Sequence, residues 1–63
     1  MTIREQAQKK FGFAVDGKLT RQKDVVFGNT NYPLWTDEAG NEYDMSKDGK
    51  TLVCIVTADG GVV

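Results

Sequence analysis

"LVCIV", Leu52 to Val56, is the longest uninterrupted apolar run in the chain, and turn signals bound it on both sides: Asp48-Gly49 before it and Asp59-Gly60-Gly61 after it. Its length and its Val and Ile content make it a strand. Neighbouring side chains of a regular strand point to opposite faces, so Leu52, Cys54 and Val56 occupy one face, and Val53 and Ile55 the other. Both faces are apolar, the pattern of a central strand that is dry on both sides. Burying two large aliphatic side chains contributes about 3–6 kcal/mol, comparable with the whole stability of a small domain. The second face therefore needs a cover: a sheet that curls toward a barrel, a second copy of the chain, or a different protein.

The segments around this strand supply one cover. Thr2-Ile3-Arg4-Glu5 is a capping-box sequence, Ile3, Ala7 and Phe11 recur at spacing four, and Gly12 suits a helix end, so the spacing predicts a helix over residues 3–11. Such a helix can roof one face of a small sheet. Beyond Gly12, Asp16-Gly17 predicts a hairpin turn between Phe13–Val15 and Leu19, and Val25–Phe27 reads as a short strand running into the Gly/Asn-rich segment before Pro33. Leu34–Thr36 pairs with Glu42–Met45 around Glu38–Asn41, and Asp48-Gly49 turns the chain into the apolar strand. The expectation is one α+β domain spanning residues 1–63: a short N-terminal helix on a four- or five-stranded, mostly antiparallel meander, with curling toward a barrel as one way to close it.

Composition narrows the function. The chain has 63 residues, 40% of them hydrophobic, so a single small core is expected near the lower size limit for independent folding. It contains no histidine and a single cysteine, Cys54, which removes the commonest general base, the Ser-His pairings and most transition-metal sites. A lone cysteine inside the most apolar run reads as a small buried hydrophobe in a reducing compartment. The charged N-terminus and the lack of any membrane-length apolar stretch lead us to expect a cytoplasmic protein with no membrane association. Asp37, Glu38, Glu42, Asp44 and Asp48 lack calcium-loop spacing and read as a solvated hairpin, and Asp59-Gly60-Gly61 reads as a turn rather than an anion cradle. We expect no catalysis, no cofactor and no metal. Charge is uneven: residues 1–31 sum to +3 and residues 32–63 to −4, and the two halves are expected to lie side by side and partly cancel.

Two surfaces remain as candidates. The first is a protein interface formed by Tyr32, Leu34 and Trp35 in "YPLW" together with Val53 and Ile55, since Trp and Tyr are over-represented as interface anchors and only one of Leu34 and Trp35 can face inward. The second rests on "KKFGFAV", Lys9 to Val15, which resembles the aromatic-glycine-aromatic patch of cold-shock domains, with "DVVF", Asp24 to Phe27, resembling the second aromatic segment there. That resemblance implies single-stranded nucleic-acid binding, with Phe11, Phe13 and Phe27 stacking bases and Lys9 and Lys10 holding phosphates. The leading expectation is a non-enzymatic protein-protein interaction module that pairs with itself as a homodimer or acts on a host protein. Small accessory and inhibitor proteins of phages and mobile elements work in this way. Nucleic-acid binding is the alternative.

Overall fold

The computed structural model describes residues 1–63. In chain order the elements are α1 (Ile3–Phe11), β1 (Thr20–Arg21), β2 (Val25–Phe27), β3 (Thr30–Tyr32), β4 (Leu34–Thr36), β5 (Glu42–Met45) and β6 (Leu52–Val56). The fold is α+β: one helix on a four-stranded antiparallel sheet of order β1-β4-β5-β6, with β2 and β3 forming a separate two-stranded sheet. The six strands form no closed barrel.

The helix begins and ends where its sequence dictates. Thr2 Oγ1 accepts from the Glu5 amide at 3.1 Å, and Glu5 Oε1 accepts from the Thr2 amide at 3.1 Å. Gly12 closes the helix in the left-handed region at φ 62°, and the Phe13 amide reaches back to Ala7 O at 3.0 Å. Ala7 is fully buried; its small side chain lets the helix backbone approach β6 closely. Ile3, Phe11 and Phe13 pack around it against Tyr43, Met45, Leu52 and Ile55. Phe13 meets Tyr43 edge to face at 6.1 Å between ring centroids.

The apolar strand departs from the alternation its sequence predicts. Met45 pairs with Leu52 and Asp44 with Cys54, so Val53 has no partner and forms a bulge. One extra residue reverses the alternation, and Leu52 and Ile55 both point to the helix-covered face, 1% and 0% exposed. Only Val53, Cys54 and Val56 are left for the other side. The strand is also an edge strand rather than a central one. Its free edge is blocked by side chains and by the following chain instead of by another strand. Gln6 Oε1 accepts from the Leu52 amide at 2.8 Å, while Val62 bridges Val56 and the Val63 amide donates to Ile55 O at 2.8 Å.

Asp16-Gly17 does not make the expected hairpin turn, and residues 13–19 form no strand. The reason is tertiary. The Asp16 amide donates to Asp37 Oδ2 (3.1 Å), the Glu38 amide to Asp16 O (2.9 Å) and the Lys18 amide to Glu38 Oε2 (2.7 Å), so this segment docks on the β4–β5 turn instead of folding back on itself. The first strand is displaced to Thr20–Arg21, which pairs with β4.

Candidate functional site

The sheet face away from α1 carries two rows set by the register: Leu34, Asp44 and Cys54, then Thr36, Glu42 and Val56. The β2–β3 hairpin stands over this face. Its two-residue loop, Gly28-Asn29, has positive φ only at Gly28 (59°), the pattern of a type II′ turn. Val25 lies opposite Tyr32, so the two share a side, and strand alternation puts Phe27 there as well. Pro33 then ends β3 and passes the chain into the main sheet, where its carbonyl accepts from the Met45 amide at 3.0 Å.

Hairpin and sheet leave a groove of about 330 Å³ between them. Val25, Phe27 and Tyr32 line it from the hairpin; Asp44, Val53 and Cys54 line it from the sheet. Phe27 is 72% exposed and Val53 57%, whereas every other aromatic ring is at least half-buried. Val26, on the opposite side of β2, adds a further exposed aliphatic at 64%. The second face of "LVCIV" is thus covered in part by the chain's own hairpin and left open along this groove.

The groove has acidic electrostatics. Cys54 Sγ donates to Asp44 Oδ2 at 3.3 Å, and Asp44 Oδ1 is closed off from water with no hydrogen-bond partner. Burial, reinforced by the neighbouring Asp44 carboxylate, pushes the Cys54 thiol up to about 11. Glu42, two residues from Asp44 on the same face, has its carboxyl raised by burial and then by Asp44. Neither carboxylate has a cationic partner: the single ion pair of the molecule joins Arg21 to Asp24 at 2.5 Å. The basic and acidic halves of the chain therefore do not neutralise each other through ion pairs, and Arg4 is spent on the Val15 and Gly17 carbonyls.

Several sequence candidates occupy other places. Of the expected interface, Tyr32 and Val53 line the groove and Leu34 shares its face, but Ile55 is fully buried beneath α1 and Trp35 packs on the core from the helix side, opposite Tyr43. The bulge is what removes Ile55 from the surface expected of it. The aromatic residues of the cold-shock resemblance are divided: Phe11 and Phe13 pack against the core on the helix side, and Phe27 lines the groove on the other, so they form no common stacking surface with Lys9 and Lys10.

Asp37 is not a solvated hairpin residue. It is 7% exposed; its Oδ1 accepts from the Ala39 and Asn41 amides, and its Oδ2 from the Asp16 amide, Asn41 Nδ2 and Tyr43 Oη. Burial alone would raise this carboxyl, but the donors outweigh burial and hold it far below the usual carboxylate range. A carboxylate with every lone pair engaged is a structural tie rather than a reactive group. Asp59-Gly60-Gly61 is a turn, as expected, with the Gly60 amide on Thr57 O at 2.8 Å and the Thr57 amide on Gly61 O at 2.7 Å.

Sequence reasoning passed over Val25, Asp44 and Cys54 as members of the site. The available signal was the adjacent pair Val26-Phe27 in a short strand beside a Gly-Asn turn, where one of the two must face outward. No helix of the structure is long and apolar enough to cross a membrane. No protein-family model, curated protein or solved structure matches the chain.

Proposed function

We propose that this protein is a non-catalytic protein-binding module whose contact surface is the groove between the β2–β3 hairpin and the outer face of the sheet. The observation that carries the reading is the pairing of Phe27 and Val53, both largely exposed, across an apolar groove on a domain with few large side chains to spare. An aromatic ring held on a hairpin without burial stabilises the isolated fold very little. Contact with a partner gives it a role. The accessory or inhibitory action on a host protein expected from the sequence is one form this binding takes.

The test places a photo-crosslinking residue at Phe27, at Val53 or at the exposed Gln8 of α1, which covers the opposite face of the sheet, in the protein expressed in its native cell. A discrete protein adduct from positions 27 and 53, absent from position 8, is the expected result. Equal adduct patterns at all three positions, or none at any, would overturn the reading.

A further inference from the structure

We infer that the groove receives a lysine or arginine side chain, flanked by apolar residues, from a partner protein, with Asp44 as its anchor. This inference rests on the reading of the groove as a protein-binding surface and adds the chemistry of what enters it.

Asp44 is the only charged residue lining the groove. Its Oδ1 is closed off from solvent without a donor, its Oδ2 accepts from a thiol, a weak donor, and beside it lies the Glu42 carboxyl, itself raised by burial and by Asp44. The closed-off oxygen is an unanswered acceptor, and no lysine or arginine of the chain pairs with this carboxylate. Glu42 on the same face adds a second carboxylate without a cation. The face is therefore an acceptor surface that the chain itself leaves unanswered, and an ammonium or guanidinium group answers it.

The remaining lining fits the rest of such a side chain. Val25 and Val53 suit the methylene stem of Lys or Arg, and Phe27 and Tyr32 offer ring faces to a cation or apolar contact to its neighbours. Reaching the closed-off oxygen requires lining side chains to move aside. Phe27, at 72% exposure, has little packing to hold it in place. A second copy is the poorer occupant: no lysine or arginine lines the groove, so a two-fold pairing of groove on groove sets Asp44 against Asp44.

The experiment pans a random dodecapeptide phage library on the immobilised protein and measures binding of the selected peptides to the wild type, Asp44→Asn and Phe27→Ala. The expected result is peptides carrying Lys or Arg beside aromatic or aliphatic residues, weakened at least about tenfold by Asp44→Asn and by Phe27→Ala. Replacing the peptide's Lys or Arg by norleucine should cause the same loss, which keeps the test decisive if Asp44→Asn folds poorly. Peptides that depend on Phe27 but carry no cation, or are indifferent to Asp44→Asn, would overturn the inference and leave the groove reading standing. Peptides indifferent to Phe27→Ala, or none selected above background, would overturn both. A dimer in sedimentation equilibrium that Phe27→Ala dissociates would put a second copy in the groove and overturn the cationic anchor.

Discussion

The Tyr43 hydroxyl donates to Asp37 Oδ2 at 2.7 Å, joining a fully buried ring of the core to a nearly buried carboxylate in the β4–β5 turn. This bond belongs to a set of five donors that converge on Asp37 from the Asp16 segment, the turn and β5. Because these donors hold the folded-state carboxyl below its unfolded value, the folded protein binds the proton less readily than the unfolded chain. The resulting stability is fully present above about pH 5 and is lost as the pH falls through 4 toward the depressed folded value. Urea midpoints measured from pH 7 to pH 2 should show a plateau and then this fall, and Asp37→Asn should flatten it.

Removing only the hydroxyl isolates its share. Tyr43→Phe deletes one donor to a charged acceptor while the ring still packs on Phe13, so it should destabilise the protein by about 1.5–3 kcal/mol at neutral pH. With one donor fewer the folded carboxyl is less depressed, so the acid-induced loss should still begin near the unfolded value but be smaller and end at higher pH than in the wild type. Paired urea titrations at pH 7 and pH 2 would show both effects.

Gln6 is the buried polar link between helix and sheet. Its Nε2 donates to Met1 O (3.2 Å) and Lys50 O (2.9 Å), and its Oε1 accepts from the Leu52 amide. Gln6→Ala leaves that amide, at the guarded edge of β6, without its acceptor. A loss of about 1–3 kcal/mol is expected, together with faster hydrogen exchange at the Leu52 amide, read by NMR.

The two sides of the apolar strand should respond oppositely to truncation. Ile55→Ala opens a cavity beneath α1 and should cost about 2–5 kcal/mol. Val53→Ser and Phe27→Ala, on exposed side chains, should change the stability by no more than about 0.5 kcal/mol. Circular-dichroism melts of the three variants test the bulge directly, since an unbroken alternation would give Val53 and Ile55 similar values.

The Cys54 thiol should react slowly although it is only half-buried. With burial and Asp44 pushing it to about 11, alkylation by iodoacetamide at pH 8 should run about a hundredfold below the rate in the urea-unfolded chain. Asp44→Asn removes the Asp44 contribution, leaving burial and the more distant Glu42 charge, and should accelerate the reaction in the folded state. Mass spectrometry of timed samples gives both rates.

Local chemistry was legible in the sequence. The Thr2/Glu5 capping box, the Ile3-Ala7-Phe11 stripe and the Gly12 cap specify α1 within a dozen residues, and the turns at Glu38–Asn41 and Asp48-Gly49 specify the β4-β5-β6 meander, because each signal acts between residues close in the chain. Tyr32, Leu34 and Val53 could likewise be named as surface candidates from alternation and residue type.

Tertiary structure decided the rest. The order of the strands, the docking of Asp16 on Asp37 and the guarding of the Leu52 edge by Gln6 depend on partners 21 and 46 residues apart. No local pattern encodes those distances. The Val53 bulge is the clearest case: five apolar residues permit either alternation, and the choice falls to packing, which places Leu52 and Ile55 together under Ala7 and leaves Val53 outside. That single offset moves Ile55 from the candidate interface to the core and leaves Val53, with Phe27, facing the open groove.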